Sequence, residues 1–294
     1  MAASYSNPHS LVSTDWLNDN LRQPDLRVID ATYYLPMQGK DARAEYLAAH
    51  IPGAVFFPID EIADTGGNLP HMLPPVEKFS ARLRKLGIGD GNRVVVYDRT
   101  GLLGAARVWW MCRIFGIKDV AILDGGLTKW LAEERAVEDG EPAGRERHFT
   151  ARLDNTQVRT KEQMLRNLAG KQEQVLDARS PGRFNATEPE TWPGRRAGHI
   201  PGSCNLPYTQ LLRPEDGTFL PADQLRTKFQ KAGIDLNKPV VTTCGSGITA
   251  CVLAFGLHLI GHRDVSVYDG SWAEWGLPGD TPVEPASGGP AATK

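Results

Sequence analysis

The chain has 294 residues, of which 41% are hydrophobic and 23% are charged. This composition is ordinary for a folded protein and excludes a disordered or collagen-like chain. The formal net charge is −2, so the sequence lacks the basic excess of a dedicated nucleic-acid-binding protein. At roughly 100–200 residues per domain, the length predicts one large domain or two ordinary ones.

The amino-terminal sequence and the cysteines indicate the compartment. The first residues, MAASYSNPHSLVSTDW, lack the basic start and the apolar stretch of a signal peptide. No run approaches the roughly 18 apolar residues of a membrane-spanning helix. The 4 cysteines are too scattered for a disulfide framework, and their spacing matches no zinc site. We therefore expect a cytoplasmic protein with no structural metal ion and no membrane partner.

One motif occurs twice at long range. The sequence AHIPGA at residues 49–54 reappears as GHIPGS at residues 198–203. Similar apolar runs surround both copies in the same order, and corresponding residues are offset by 145 (Trp130 to Trp275) to 149 (His50 to His199). Because each unit is far longer than a solenoid repeat, the repeat predicts two homologous domains.

The repeat also predicts where the domains begin and end. The first domain is expected at residues 9–138 and the second at residues 158–282. Residues 139–157 between them are polar and contain proline and glycine, which is typical of an interdomain linker. Residues 283–294 are low in large apolar side chains, so we predict a disordered tail.

In chain order, short apolar runs alternate with segments of helical periodicity. Strands are predicted within residues 26–31, 93–98, 120–126, 174–179, 239–244 and 265–271, and the clearest helices at 76–86, 105–115 and 249–260. This alternation predicts an α/β fold in which each domain is a mainly parallel sheet with helices on both faces. In such sheets, functional sites form at the carboxyl ends of the strands.

Cys244 stands at such a position. It ends a predicted strand and opens the loop CGSGITA, after which an amphipathic helix begins near Thr249. Gly245 and Gly247 allow backbone angles that other residues avoid, so successive loop amides can point at one atom. Together with the helix dipole, these amides favour a thiolate over a thiol. The loop therefore predicts a nucleophilic cysteine.

The first domain provides an internal control. Its corresponding strand ends in Asp98, and the loop that follows contains no thiol and is interpreted as longer. We therefore expect the first domain to be catalytically silent and the second to carry the chemistry. Cys112 and Cys251 fall within apolar helical segments and are expected to be buried structural residues. Cys204 follows the second HIPG copy, and its pattern lies between that of a structural and that of a functional cysteine.

With these features the sequence resembles the tandem-domain rhodanese-type sulfurtransferases, over residues 10–280. The resemblance rests on the two HIPG copies, on the loop from Cys244 to Ala250, and on the segments that close each unit with an Asp-Gly pair and a tryptophan. It implies a persulfide mechanism in which sulfur moves from a small-molecule donor to the cysteine and then to an acceptor. The covalent persulfide replaces any cofactor.

The residues after the cysteine distinguish two classes of this family. Thiosulfate sulfurtransferases typically have Arg and Lys there, whereas this chain has Gly245 and Ser246 and so resembles the 3-mercaptopyruvate sulfurtransferases. The stretches DAR at residues 41–43 and HMLP at residues 71–74 also resemble that class. A neutral loop suits a donor whose reacting end is a thiol beside a ketone.

The resemblance also implies site residues. A relay of Asp60, His71 and Ser246 would move protons near Cys244, and Arg183 would bind the donor. The remaining residues expected to surround the donor belong to the loop itself: Gly245, Gly247, Ile248 and Thr249.

The family's second substrate arginine is replaced in this chain by Trp192. This is a departure from the pattern of the family. The neighbouring Arg195 or Arg196 could supply the missing cation, or the donor preference has relaxed.

Three functions therefore remain open. The first is a 3-mercaptopyruvate sulfurtransferase that releases pyruvate, the second is a thiosulfate:cyanide sulfurtransferase, and the third is a non-catalytic persulfide carrier. All three need Cys244, but a carrier would not need Asp60, His71 or Arg183. The acceptor would be thioredoxin, another thiol or cyanide, and no nucleic-acid partner is expected.

Overall fold

The computed structural model describes residues 4–142 and 144–284, and within them the chain forms two five-stranded sheets. All paired strands are parallel, and both sheets have the same strand order, β1-β5-β4-β2-β3 in the first and β6-β10-β9-β7-β8 in the second. The strands are β1 Leu11–Val12, β2 Leu26–Asp30, β3 Val55–Phe56, β4 Arg93–Tyr97, β5 Val120–Leu123, β6 Val158–Arg159, β7 Gln174–Asp177, β8 Cys204–Asn205, β9 Val240–Thr243 and β10 Val265–Tyr268.

Helices cover both faces of each sheet. They are α1 Thr14–Asn20, α2 Ala42–Ala48, α3 Ile59–Ile62, α4 Val76–Lys85, α5 Leu103–Ile114, α6 Gly126–Ala132, α7 Lys161–Gly170, α8 Pro181–Phe184, α9 Ala222–Lys231, α10 Ala250–Leu259 and α11 Ser271–Trp275. Short 3₁₀ turns lie at Pro8–Ser10, Pro36–Gln38, Asn155–Gln157 and Tyr208–Leu211. The predicted fold class is confirmed. No helix of the described residues is long and apolar enough to cross a membrane.

Side chains that alternate along each strand enter two different cores. In β4, Val94 and Val96 enter a large core that runs through both domains, whereas Val95 and Tyr97 enter a smaller core of the first domain. The tryptophans that close the two units, Trp130 and Trp275, fill these smaller outer cores. Burial on both faces explains why the central strands read as continuous apolar runs. The two-residue edge strands were not predicted because they are too short to show a pattern.

Each HIPG copy fastens the end of its own domain. His50 and Glu138 exchange backbone hydrogen bonds as an antiparallel bridge, and His199 and Glu284 do the same in the second domain. The His199 ring also stacks on Phe184, with ring centroids 3.7 Å apart, and its Nδ1 bonds to the Phe184 carbonyl. The second HIPG motif therefore holds α8, the helix that carries Arg183.

The segment between the domains is packed against the first domain. Phe149 and Ala151 are buried, and Ser80 Oγ donates to the Phe149 carbonyl at 2.7 Å. The tail predicted at residues 283–294 lies outside the described residues from residue 285 onward. Glu284 pairs with His199, so the folded part of the second domain extends two residues beyond the expected end at 282.

The two domains meet through α5 and α10, and each lends a loop to the other. Asp269, which follows β10, accepts the Leu73 amide of the first domain at 2.8 Å. Asp124, which follows β5, accepts the Phe219 amide of the second domain at 2.9 Å. Each domain therefore covers the carboxyl ends of its partner's strands.

Candidate active site

Cys244 lies directly after β9, where the sequence predicted it. Its side chain is buried, its carbonyl accepts the Trp272 amide at 2.9 Å, and its own amide donates to Ser271 Oγ at 3.2 Å. α10 begins six residues later, at Ala250. The cysteine is therefore fixed from both sides at the mouth of a strand–loop–helix turn.

The loop after Cys244 provides uncommitted hydrogen-bond donors. Within the part of the chain that the structure describes, the backbone amides from Gly245 to Thr249 donate to no other protein group. Such amides, next to a helix start, stabilise negative charge on a nearby atom. The chemistry of the loop therefore suits a thiolate or a persulfide anion.

Glycine is required at the two loop positions for different reasons. Gly247 has a φ of +79°, and a Cβ there would lie 2.7 Å from the Asp269 carbonyl oxygen. Gly245 has no positive φ, contrary to the expectation for both glycines. A Cβ at Gly245 would instead come within 3.0 Å of Arg183 Nη2, so glycine lets the guanidinium lie against the loop.

Ser246 meets the predicted relay across the domain interface. Its Oγ lies 2.8 Å from His71 Nδ1. His71 Nε2 lies 3.2 Å from Asp60 Oδ1 and 2.7 Å from the hydroxyl of Tyr33. The structure thus brings Asp60, His71 and Ser246 together, and it adds Tyr33, which sequence analysis missed.

A buried arginine holds the His71 loop against the Cys244 loop. Arg107 of α5 is fully buried, forms an ion pair with Asp269 at 2.8 Å, and donates to the carbonyl oxygens of Gly247 and His71. Its guanidinium also lies over the Trp110 ring. One cation therefore joins both loops, and His71 sits there with an uncommon φ of +60°.

Arg183 lies beside Cys244, but it already has an acidic partner. Its Nη2 and Nε lie 2.6 and 3.2 Å from Glu190 Oε2, and the other oxygen of Glu190 pairs with Arg179 at 2.6 Å. Arg179 is in turn paired with Asp177. A donor carboxylate at Arg183 therefore competes with Glu190 or uses the remaining guanidinium edge.

The structure separates the two candidate replacement cations. Arg195 lines the cavity that also contains Asp60, His71 and Trp192, although its Nε donates to the Ala273 carbonyl at 2.9 Å.

Arg196 was a candidate that the structure does not bring to the site. Its guanidinium donates to the carbonyl oxygens of Trp275 and Thr281, so its backbone contacts direct it away from Cys244. This corrects the expectation that it replaces the missing cation, and its interactions are those of a residue that ties down the chain after α11.

Two adjoining cavities reach this cluster. The smaller, about 70 Å³, contacts Cys244 and is lined by Tyr33, Leu35, Gln38, Leu103, Arg183, Thr191, Trp192, Cys244, Gly245, Ser246, Ile248 and Thr249. The larger, about 440 Å³, contains Asp60, His71 and Arg195, and both cavities contact Tyr33 and Trp192. Of the residues expected around the donor, only Gly247 and the arginines Arg195 and Arg196 do not line the smaller cavity. Trp192 forms the part of the smaller cavity's wall that lies beside His71, and the Trp192 ring is edge-on to the His71 ring.

Asp98 occupies the equivalent position in the first domain and fills its own loop. Its two carboxylate oxygens accept the amides of Thr100, Leu102 and Ala105 at 2.8–2.9 Å. Burial raises the pKa of Asp98 to about 6, although these amides lower it in part. The loop was expected to be longer than that of Cys244, but α5 begins five residues after Asp98 and α10 begins six after Cys244.

The other three cysteines lie in protein interior or at a strand edge. Burial raises the pKa of Cys112 and of Cys251 to about 12, and it also raises the pKa of Cys204. Cys251 Sγ donates to the Gly247 carbonyl, so this side chain stabilises the loop after Cys244. Among the described residues, no three His, Cys, Asp or Glu side chains form a group that could hold a metal ion.

Comparison with known proteins places this geometry in a family. The model of the Rhodanese-like domain matches residues 13–133 and again residues 160–277, inside the ranges predicted for the two domains. The human 3-mercaptopyruvate sulfurtransferase is 44% identical over 272 residues, covering 90% of this chain and 91% of that protein. The mitochondrial thiosulfate/3-mercaptopyruvate sulfurtransferase 1 of Arabidopsis thaliana is 42% identical, covering 96% and 80%.

The fold comparison agrees. The crystal structure of SseA from Escherichia coli, described as a 3-mercaptopyruvate sulfotransferase with the rhodanese fold, superposes with a TM-score of 0.83 at 38% identity. It covers 90% of this chain and 99% of that chain. The chain therefore belongs to the rhodanese-like family, carries two such domains, and is similar to the 3-mercaptopyruvate sulfurtransferases within it.

Proposed function

We propose that this protein is a sulfurtransferase that moves sulfur from 3-mercaptopyruvate through a Cys244 persulfide to a thiol or to cyanide. The observation that carries the proposal is the 2.8 Å contact between Ser246 Oγ and His71 Nδ1, beside the cavity that contacts Cys244. A proton relay at this place suits a donor that has a thiol proton to lose. The relatives named as 3-mercaptopyruvate sulfurtransferases support the same donor.

The reaction assigns a task to each group. The Cys244 thiolate attacks the donor sulfur, an S–S bond forms, and the C–S bond breaks with its electron pair passing into the enolate of pyruvate. The enolate carbon takes a proton from the Ser246 hydroxyl, which His71 activates, and the thiol proton of the donor replaces it. Pyruvate leaves, and a thiolate or cyanide then takes the outer sulfur and regenerates the Cys244 thiolate. No cofactor takes part.

The loop amides and Arg183 supply the electrostatics of this reaction. The amides from Gly245 to Thr249 can stabilise the thiolate before attack and the persulfide after it. Arg183 binds the carboxylate or the ketone of the donor by a charge-assisted hydrogen bond. The loop has no cation of its own, so it would hold the dianion thiosulfate less well than a donor with one carboxylate.

Thiosulfate is the second candidate donor. The Arabidopsis relative carries both donors in its name, and two features of this chain reduce its fit to a ketoacid. Trp192 stands where the family has an arginine, and Glu190 neutralises part of Arg183. A non-catalytic carrier would have no use for the contact between His71 and Ser246.

The test compares both donors in the wild-type protein and in His71→Ala, with cyanide as acceptor. We expect pyruvate release from 3-mercaptopyruvate to fall by roughly 10²–10⁴-fold in the variant, the usual contribution of a general acid–base group. Sulfur transfer from thiosulfate, which has no thiol proton, should fall far less. Equal losses would mean that His71 only supports the domain interface, and a wild type active with thiosulfate alone would refute the proposed donor.

The sulfur acceptor and the cellular compartment are also proposed here. A protein thiol such as thioredoxin, a small thiol or cyanide could each take the outer sulfur, and we propose no nucleic-acid or membrane partner. We propose a cytoplasmic location; one relative is mitochondrial by name.

A further inference from the structure

His71 Nε2 has two competing neighbours that require different proton positions. The Tyr33 hydroxyl lies 2.7 Å away and the Asp60 carboxylate lies 3.2 Å away. A carboxylate can only accept a hydrogen bond, whereas a hydroxyl can also donate one. If Nε2 carries the proton, it donates to Asp60 and Nδ1 must accept from Ser246. If Tyr33 donates to Nε2, the proton sits on Nδ1 and the bond to Ser246 runs the other way.

Burial separates these two neighbours. The Asp60 side chain is 62% exposed, while that of His71 is 2% exposed and Tyr33 is buried in the core. A carboxylate in water loses little by leaving a neutral imidazole unpaired, whereas a buried hydroxyl without a partner is costly. Burial, and next the charge of Asp60, raise the pKa of Tyr33, so its hydroxyl keeps the proton that it donates.

We propose that Tyr33 is the positioning residue that sets the neutral form of His71, and that Asp60 becomes its partner only when His71 gains a second proton. In the neutral form Tyr33 donates to Nε2, and Nδ1–H donates to Ser246 Oγ. The Ser246 hydroxyl proton is then directed toward the cavity of Cys244. In the charged form Nε2–H donates to Asp60. The two neighbours of one nitrogen thus serve two protonation states.

This division has a consequence for the relay, which rests on the proposed function. Ser246 meets the donor as a hydrogen-bond donor to its ketone, the oxygen that becomes the enolate oxygen when the C–S bond breaks. Ser246 then takes the proton of the donor thiol as it gives its own hydroxyl proton to the enolate, and Nδ1–H of His71 stabilises the charge on Oγ during this exchange. Tyr33 contacts both cavities, so it stands where the relay and the donor site meet.

The other charged groups near His71 come from several elements. Asp64 and Arg195 line the same cavity, Arg107 donates to the His71 carbonyl, and Asp269 accepts the amide of Leu73. Cys244 lies beyond Ser246 in the adjoining cavity. All of these groups are unchanged in Tyr33→Phe and in Asp60→Asn, so a difference between the two variants comes from the substituted side chain.

The test is a ¹⁵N NMR titration of histidine-labelled protein without any donor, comparing wild type with Tyr33→Phe and Asp60→Asn. His71→Gln assigns the signal. Wild type should show a protonated Nδ1 in the neutral form, and Tyr33→Phe should move the proton toward Nε2. Loss of a bond to the neutral form should raise the titration midpoint by roughly half to one pH unit. Asp60→Asn should lower it by a few tenths of a unit, because the lost carboxylate is exposed.

The opposite directions of the two shifts are the decisive result. If both variants lower the midpoint, Tyr33 accepts from Nε2–H beside Asp60 and the proposal is overturned; an unchanged midpoint in Tyr33→Phe overturns it too. The signals of His50 and His199, whose Nδ1 atoms bond to backbone carbonyls, report whether each variant is folded. In turnover, Tyr33→Phe should lower kcat with 3-mercaptopyruvate about tenfold while KM stays within about twofold. Because the titration uses no donor, it stands even if the proposed donor is wrong.

Discussion

The two domains build the same loop after the same strand and fill it in opposite ways. In the first domain the loop amides of Thr100, Leu102 and Ala105 converge on the carboxylate of Asp98. In the second, the amides from Gly245 to Thr249 donate to no other group among the described residues, and the side chain at the strand end is a thiol. Loop amides that already bond to their own carboxylate are not available to another anion. The same cradle beside a cysteine can hold a sulfur anion.

The loop that each domain lends to its partner also differs between the two domains. His71, with a φ of +60°, lies two residues before Leu73, whose amide bonds to Asp269. Gly217, with a φ of +70°, lies two residues before Phe219, whose amide bonds to Asp124. The first domain uses glycine at this conformation, while the candidate site places a histidine there despite its cost for a residue with a side chain. Strain kept at one copy only is the pattern of a functional residue.

The largest expected effect comes from removing the thiol. Cys244→Ser should lower turnover more than about a thousandfold, because the hydroxyl cannot form a persulfide. The matched controls are Cys112→Ser, Cys204→Ser and Cys251→Ser, each of which should keep most of the activity. The measurement is pyruvate release from 3-mercaptopyruvate, and a fully active Cys244→Ser enzyme would end the persulfide account.

A second variant asks whether a thiol alone makes a site. In Cys244→Ser/Asp98→Cys the cysteine sits in the first loop, where Thr100 stands in the position of Ser246 and Gly217 in the position of His71. We expect turnover to remain at the Cys244→Ser level in the same assay. Recovery of activity would mean that the strand-end position is sufficient and that the relay is dispensable.

Donor binding should respond less strongly. Arg183→Ala removes a charge-assisted bond and should raise KM for 3-mercaptopyruvate about tenfold to a hundredfold. Arg195→Ala should give a smaller rise if Arg195 supplies the second cation, and Trp192→Arg should lower KM if it does not. Arg196→Ala is the matched control, since among the described residues its guanidinium bonds only to Trp275, the last residue of α11, and to Thr281. An unchanged KM in Arg183→Ala would show that the donor does not bind in this cavity.

The smallest effect on activity is expected from Asp98→Asn, which should act on stability instead. Burial raises the pKa of Asp98 to about 6 from 3.8. The folded state therefore holds this proton more tightly than the unfolded state. The contribution of Asp98 to the free energy of unfolding is complete below about pH 4 and is lost as the pH rises to about 6. At 1.36 kcal/mol per unit the loss is roughly 3 kcal/mol.

Urea unfolding at pH 4.5 and pH 6.5 measures this contribution. The difference in free energy of unfolding between wild type and Asp98→Asn should shift against the wild type as the pH rises, while turnover stays unchanged. The same comparison cancels Asp124, whose pKa burial also raises to about 6, and His258, whose pKa burial lowers to about 4. A difference independent of pH would show that Asp98 titrates alike in both states.

The sequence predicted what is written locally or repeated. The strand-end cysteine, its glycine loop and the Asp98 that stands in place of a thiol in the first domain follow from position and spacing, and the resemblance pointed to Asp60 and His71. Tyr33, Arg107 and Glu190 were missed because their roles depend on elements far apart in sequence meeting at the interface. Arg107 looks like one charge in an apolar helix until Asp269 is placed opposite it.

Adjacent residues also cannot be told apart by position alone. Arg195 and Arg196 are neighbours in the sequence, but the backbone carbonyls that receive their guanidinium groups differ, and only Arg195 reaches the cavity with His71. The reason for glycine at position 245 was also missed. The sequence suggested an unusual backbone angle, whereas the structure shows that glycine makes room for Arg183 of α8, a contact that no local pattern reveals.

Mapping the transferred sulfur tests the central claim most directly. The wild-type protein is mixed with 3-mercaptopyruvate without acceptor, digested under non-reducing conditions, and analysed by peptide mass spectrometry. The account predicts one additional sulfur atom on the peptide that contains Cys244, removed by cyanide, and no such gain on the peptides of Cys112, Cys204 or Cys251. A sulfur found on another cysteine, or turnover with no sulfur on Cys244, would contradict it.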